Sequence, residues 1–127
     1  MRTGLHVIYD AAHAFGVTYK GRHLVSCGDL SVLSFHATKL FSTIEGGAVI
    51  SGAEIQRNRV NLLKNFGIAD EETVVGPGIN GKMNEFQAAF GLMQLGLVEQ
   101  EIQDRAAIAA LYRSGLGNIT GITAFED

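Results

Sequence analysis

The sequence has little cysteine, few charged residues and only a small net charge. It has one cysteine, Cys27, so the chain alone can form neither a disulfide nor a multi-thiolate metal site. Charged residues make up 18% of its 127 residues and the net charge is -3, so no overall positive field attracts nucleic acid or anionic lipid. We therefore expect no metal centre and no nucleic-acid partner. Cys27 has no cationic cluster near it in the sequence and is expected to be a small buried apolar residue.

Long hydrophobic runs are also absent. No apolar stretch approaches the roughly 18 residues of a membrane-spanning helix, and the first six residues have no signal-peptide character. We therefore expect no membrane partner. The single cysteine indicates a reducing compartment, so we expect a cytoplasmic location. The 46% of hydrophobic residues is typical of a globular protein, and the 16 glycines indicate many tight turns. The length predicts one domain or part of one.

Three short apolar runs predict β-strands in the first half of the chain. They span residues 6–9, 30–35 and 47–51 and are rich in β-branched or aromatic residues. Short, nearly continuous runs of this kind are typical of strands that are buried on both faces of a sheet.

Helical periodicity dominates the second half. Residues 51–54 read Ser-Gly-Ala-Glu, a capping-box pattern, and predict a helix that ends near Phe66. Apolar residues at helical spacing predict two helices, or one bent helix, over residues 84–114, with a shift in phase near Gly96. The glycine-rich segment 68–82 between them is longer than most loops, which favours a functional role.

The order of these elements predicts an α/β fold with mostly parallel strands followed by long helices. No repeat or linker divides the chain. The order lacks the opening half of a self-contained sheet, so residues 1–127 are expected to be part of a larger domain.

Four motifs follow one another with characteristic spacing. They are Asp10-x-x-His13, the segment from Ser34 to Lys39 (Ser-Phe-His-Ala-Thr-Lys), Glu45-Gly46-Gly47, and a segment from Gly78 to Ala89 that contains Asn80. In this order the chain resembles the DegT/StrS family of sugar-nucleotide aminotransferases, pyridoxal-phosphate enzymes of the aspartate-aminotransferase fold. The resemblance covers residues 6–112. It implies that residues 1–127 are the middle of the large, cofactor-binding domain, without the N-terminal part of that domain and without the C-terminal small domain.

The resemblance assigns a role to five residues. Lys39 would form a Schiff base with pyridoxal 5'-phosphate and then carry protons, and Asp10 would hold the protonated ring nitrogen of the cofactor by charge and hydrogen bonding. Ser34 would donate a hydrogen bond to the cofactor phosphate, and His13 would lie beside the cofactor ring. Asn80 would reach the phosphate bound by a neighbouring subunit, which implies a homodimer.

The family activity implied for the chain is transfer of an amino group from glutamate or glutamine to a nucleotide-activated keto-deoxysugar. The motifs are most similar to those of members that act on dTDP-4-keto-6-deoxyglucose, in amino-sugar or polysaccharide biosynthesis. Two alternatives stay open: a truncated, non-catalytic piece of the cofactor domain, and a sugar dehydratase of the same family. The dehydratase branch replaces the Schiff-base lysine by histidine, so Lys39 disfavours it. The isolated chain is expected to be inactive.

Other candidates allow two interpretations. His36 and Lys82 could neutralise the diphosphate of a nucleotide sugar, or could be a packed histidine and a solvated lysine. Phe86 and Phe90 are expected to belong to the core or to a subunit interface. The glycines of Glu45-Gly46-Gly47 would let the backbone pass close to the lysine loop, although an ordinary turn would also use them.

Overall fold

A computed structural model describes residues 3–124. The two ends of the expected 1–127 domain segment lie outside the described residues. The elements in chain order are β1 (Ile8–Asp10), β2 (Thr18–Tyr19), β3 (Arg22–His23), a 3-10 turn (Leu24–Ser26), β4 (Leu30–Ser34), β5 (Gly47–Ile50), α1 (Glu54–Lys64), α2 (Glu85–Leu95) and α3 (Val98–Leu116). None of these helices is long and apolar enough to cross a membrane.

The three predicted strands form one sheet in the order β1-β4-β5. The β1 and β4 strands pair in parallel, with Asp10 opposite Val32. The β5 strand pairs antiparallel to β4, which differs from the expectation of mostly parallel strands. The reason is the connection: the chain between them turns back on itself without a crossover helix, and only an antiparallel partner can be reached in that way.

A small hairpin of β2 and β3 was not predicted from the sequence. Its two-residue turn is Lys20-Gly21, and both residues have positive φ, at 49° and 74°. Two positive φ angles characterise the turn whose twist matches a tight hairpin. The strands have two residues each, too few to produce a recognisable alternation.

The core lies on one face of the sheet. Its buried side chains are Ala11, Ala14, Leu33, Phe35 and Phe41, and Phe15 packs against them. The rings of Phe15 and Phe41 stack with centroids 4.4 Å apart, and Phe35 meets both rings edge-on at 5.9 and 4.9 Å. Phe35 and Phe41 flank Lys39 in the sequence, so the cluster anchors the chain on both sides of Lys39 in the core.

The opposite face of the sheet is uncovered, which corrects the expectation of burial on both faces. In β4, Ser31 and Leu33 are buried while Val32 between them is 42% exposed. A groove of about 750 Å³ separates this face from α1, so α1 does not cover it. Cys27 is half-buried and not a fully buried apolar residue as expected.

The helix starts differ from the prediction in an informative way. The segment 51–54 forms no capping box: α1 begins at Glu54 with Ala53 as its N-cap, and the Ser51 hydroxyl accepts from the Ala53 amide and donates to Gln56. A capping box occurs instead at α2, where Asn84 and Gln87 bond reciprocally. The helix α1 also ends at Lys64, slightly before the predicted Phe66.

The last two helices confirm the predicted break near Gly96, which is the C-cap of α2. Val98, the first residue of α3, packs against the core. Phe86 is 88% exposed, so of its two expected placements the core of this chain is excluded. An interface role for Phe86 and Phe90 stays a prediction.

Candidate active site

The parallel pairing of β1 and β4 brings the ends of two strands to one edge of the sheet. Asp10 is the last residue of β1 and Ser34 is the last residue of β4. The amide of Ala11 continues the ladder by donating to the carbonyl of Val32 at 2.9 Å. Both candidate residues therefore lie at the carboxyl edge, where open α/β sheets bind ligands.

Asp10 faces a cavity of about 460 Å³. The lining residues are Asp10, Ala11, Ala12, His13, Ala14, Val17 and Leu24. One carboxylate oxygen of Asp10 accepts a hydrogen bond from the Ala12 amide at 3.1 Å, which turns the chain away from the strand. The other lining residues are apolar, so the carboxylate of Asp10 and the imidazole of His13 are the polar side chains of this cavity.

Lys39 lies next to His13. Its Nζ is 2.9 Å from Nε2 of His13, which is hydrogen-bond distance, and the tautomer of the imidazole decides which of the two nitrogens donates. Both residues line a second cavity of about 210 Å³ together with Ala12, Phe15, Thr38, Leu40 and Arg105. Because His13 borders both cavities, it connects the side of Asp10 with the side of Lys39.

Arg105 was not predicted as a site residue. It projects from α3 into the Lys39 cavity, and its Nε is 3.8 Å from a carboxylate oxygen of Glu101. The sequence does not signal this position, because the packing of α3 against the core decides which of its residues reaches the site.

The segment that carries Lys39 is a closed loop between β4 and β5. The amide of Phe35 donates to the carbonyl of Gly46, and the amide of Thr43 donates back to Phe35, both at 2.9 Å. The side chain of Thr43 is buried and donates to the carbonyl of Glu45 at 2.7 Å. These bonds hold the loop on the aromatic cluster.

At the glycine pair after Glu45 the backbone passes close to neighbouring chain, as the sequence predicted. Gly46 has φ 151°, and a Cβ at this position would collide with the hydroxyl of Thr43. At Gly47 a Cβ would lie 2.6 Å from the carbonyl oxygen of Leu33. Only glycine leaves room for the chain at these two points.

Asn80 is placed apart from the other predicted site residues. It pairs with Asn65 in an isolated antiparallel bridge just beyond α1, and it lines neither of the two cavities. Lys82 lies 5.3 Å from the ring centroid of Phe66 and lines the groove beside α1. The long loop thus folds back onto the end of α1 in this chain.

The carboxylates whose pKa is lowered, Asp29 and Asp70, lie outside the site. The amide of Val7, which donates to Asp29 at 2.7 Å, lowers the pKa of Asp29 below its ordinary value of 3.8. This bond joins the chain just before β1 to the chain just before β4. Asp29 therefore helps to align the two strands whose far ends carry Asp10 and Ser34.

Solved structures of sugar aminotransferases have the fold of this chain. The crystal structure of DesI with its TDP-sugar product superimposes with a TM-score of 0.89 at 37% identity, covering 97% of this chain and 31% of DesI. Spr1654 from Streptococcus pneumoniae, described as a sugar aminotransferase and solved in its PLP form, gives 0.81 at 33% identity, covering 89% and 31%. The expected partial fold of a pyridoxal-phosphate-dependent sugar aminotransferase is thereby confirmed.

The chain belongs to the DegT/DnrJ/EryC1/StrS aminotransferase family, whose sequence profile matches residues 1–127. The dTDP-4-amino-4,6-dideoxy-D-glucose transaminase of Shigella dysenteriae is 50% identical over 119 residues, which are 94% of this chain and 32% of that protein. The chain thus spans about a third of the length of the relatives that it matches. The family expected from the four motifs is confirmed.

Proposed function

We propose that this chain is part of a pyridoxal-phosphate-dependent aminotransferase that transfers an amino group from glutamate or glutamine to a nucleotide-activated keto-deoxysugar. The observation that carries the proposal is the amine of Lys39, held 2.9 Å from the His13 imidazole at the sheet edge where Asp10 ends β1. In the overall reaction the amino group replaces the carbonyl oxygen of the sugar, and the donor leaves as the corresponding oxo acid.

The residues at this edge fit pyridoxal phosphate in size and in donor set. The cavity of about 460 Å³ beside Asp10 falls within the range of roughly 300–1,000 Å³ that small-molecule sites occupy. Among residues 3–124, the carboxylate of Asp10 is bonded to the Ala12 amide alone, so an oxygen is available to accept from a protonated ring nitrogen. When bound, the cofactor supplies an electron sink for the carbon that carries the amine.

The chain's own residues divide the remaining work. Lys39 would hold the cofactor through Nζ and, once displaced by the substrate amine, would accept or donate the proton at the carbon that bears the amine. His13, 2.9 Å from this amine, would orient it through their hydrogen bond. Arginine could not replace Lys39, because a guanidinium does not lose its proton in proteins. Ser34, at the end of β4, is assigned to the phosphate.

A second copy of the chain would complete the site. Asn80 lies outside both cavities of its own subunit. We assign it to the phosphate bound by the neighbouring subunit, which makes a homodimer part of the proposal. The exposed Phe86 at the start of α2 is available for the same contact.

The acceptor assignment follows the relatives. The Shigella dysenteriae relative is named as a dTDP-4-amino-4,6-dideoxy-D-glucose transaminase, so the proposed acceptor is dTDP-4-keto-6-deoxyglucose. DesI was solved with a TDP-sugar product, which supports the same nucleotide. A dehydratase stays disfavoured because position 39 is lysine.

A non-catalytic cofactor-domain piece is the second candidate. The chain spans about a third of its relatives' length, and β1 leaves Ile8 64% and Tyr9 47% exposed at an uncovered edge of the sheet. In this form the chain would attach the cofactor without turnover. The two candidates share Lys39 and Asp10 and differ only in whether the donor reacts.

Absorption spectroscopy distinguishes these candidates. Pyridoxal phosphate added to the chain is expected to produce the band of a lysine-bound cofactor, and Lys39→Ala is expected to abolish it. Lys82→Ala is the matched control, because Lys82 lines the groove beside α1 and is expected to leave the band unchanged.

Addition of the amino donor glutamate distinguishes turnover from cofactor binding alone. Loss of the band when glutamate is added, with release of 2-oxoglutarate, supports the aminotransferase. A stable band with no oxo acid supports the non-catalytic piece. A band that survives Lys39→Ala contradicts the assignment of Lys39 in both candidates.

A further inference from the structure

The loop that carries Lys39 is joined at its two ends by a side-chain contact that the proposed function does not use. Nδ1 of His36 lies 2.9 Å from Oε1 of Glu45. His36 follows the end of β4 and Glu45 precedes the two glycines that lead into β5. The contact therefore bridges the start and the end of the loop.

His36 is also coupled to Lys39 through the backbone. The amide of Lys39 donates to the carbonyl of His36 at 2.9 Å, and the amide of His36 donates to the hydroxyl of Ser34 at 3.4 Å. A shift of His36 would move the turn that presents Lys39 and would release the donor to Ser34. One residue thus touches both the lysine turn and a proposed phosphate ligand.

The same contact disfavours the diphosphate role for His36. Glu45 occupies Nδ1 of the imidazole and adds a negative charge at 2.9 Å, which would repel a phosphate at this position. The contact is solvent-accessible, with the two side chains 48% and 65% exposed. It is therefore expected to add geometric restraint and little global stability.

We propose that the His36–Glu45 pair is a positioning device that holds the Lys39 loop in the conformation that attaches the cofactor. Neither residue touches the reacting atoms, and both act through the turn that carries Lys39. The proposal rests on the proposed function only in the role given to Lys39. Its restraint on the loop is a property of the chain without cofactor.

The test uses His36→Ala, Glu45→Ala, the double variant and Glu45→Gln. Amide hydrogen exchange at Lys39 and Thr43 is measured in the chain without cofactor. Because a solvent-exposed pair contributes little energy, we expect these two amides to exchange about two- to fivefold faster in each alanine variant than in the unmodified chain. The double variant is expected to be no faster than the quicker single variant, because both changes remove one interaction.

Cofactor attachment is the second measurement. The fraction of Lys39 modified by pyridoxal phosphate after borohydride reduction is expected to fall in the alanine variants with an unchanged urea midpoint. Glu45→Gln retains an oxygen that accepts from Nδ1–H and is expected to restore attachment. Gln103→Ala, which removes another exposed side-chain contact, to Glu99 on α3, is the matched control and is expected to change neither quantity.

The outcomes separate the two proposals. Unchanged exchange in both alanine variants overturns the positioning role, whatever happens with the cofactor. Faster exchange together with no attachment in the unmodified chain supports the restraint on the Lys39 loop and contradicts the proposed function. A parallel fall in the urea midpoint and in attachment, without rescue by Glu45→Gln, means a general structural role and also overturns the proposal.

Discussion

Replacement of Gly91 by alanine tests how tightly α2 is docked on the lysine loop. Gly91 is the one buried residue of α2. A Cβ at this position would lie 2.8 Å from Cγ2 of Thr43 and 3.5 Å from the ring of Phe41. Thr43 is itself 2% exposed and is held by its hydrogen bond to the carbonyl of Glu45. It cannot rotate away without breaking that bond.

Two opposing effects determine the size of the change. Alanine is more favourable than glycine inside a helix by about 1 kcal/mol. Insertion of one carbon into a packed site costs about 1–3 kcal/mol. Gly91→Ala is therefore expected to lower the free energy of unfolding by roughly 0–2 kcal/mol.

Gly115 provides a matched control for this experiment. It lies in α3, and a Cβ there would meet nothing within 4 Å, so Gly115→Ala is expected to stabilise by about 0.5–1 kcal/mol. Urea unfolding of the two variants, followed by circular dichroism, is expected to separate them by about 1–3 kcal/mol. Equal stabilisation by both substitutions would refute the docking of α2 on Thr43.

Further predictions concern the caps and the strand alignment. Asn84→Ala is expected to lower the free energy of unfolding by about 1 kcal/mol through loss of the α2 capping box, and Ser51→Ala by less, because Ser51 does not cap α1. The lowered pKa of Asp29 means that its stabilisation is present above pH 3.8 and is lost as the pH falls through the folded-state pKa. Asp29→Asn is therefore expected to flatten the acid limb of a stability-against-pH curve, and an unchanged limb would contradict this.

Local patterns predicted the elements of the sheet and the family motifs well. The three strand runs were found because short apolar runs rich in β-branched and aromatic residues are typical of strands. Asp10 and Lys39 are assigned as site residues because the motifs preserve order and spacing, and their roles stay predictions. The contact between Lys39 and His13 agrees with placement of both residues at one site.

Features that depend on packing between distant segments were missed. Residues 51–54 and Asn84–Gln87 both have the letters of a capping box, but at 51–54 the serine hydroxyl bonds within its own turn. The antiparallel direction of β5 depends on how the lysine loop closes, through bonds such as that from Phe35 to Gly46. The reach of Arg105 into the Lys39 cavity depends on the placement of α3.

The exposed face of the sheet could not be predicted from the composition of the strands. Val32 and Val49 are apolar and were expected to be buried, yet both are more than 40% exposed beside the groove next to α1. A sequence pattern reports which surface is suited to burial and does not identify what covers it.

The central claim is that Lys39 attaches pyridoxal phosphate at the edge that Asp10 also occupies. Borohydride reduction of the chain with pyridoxal phosphate, followed by peptide mass spectrometry, tests this most directly. The account predicts one pyridoxyl group on the peptide that contains Lys39, with less modification in Asp10→Asn. Modification spread over Lys20, Lys64 and Lys82 to the same extent as Lys39, and insensitive to Asp10→Asn, would contradict it.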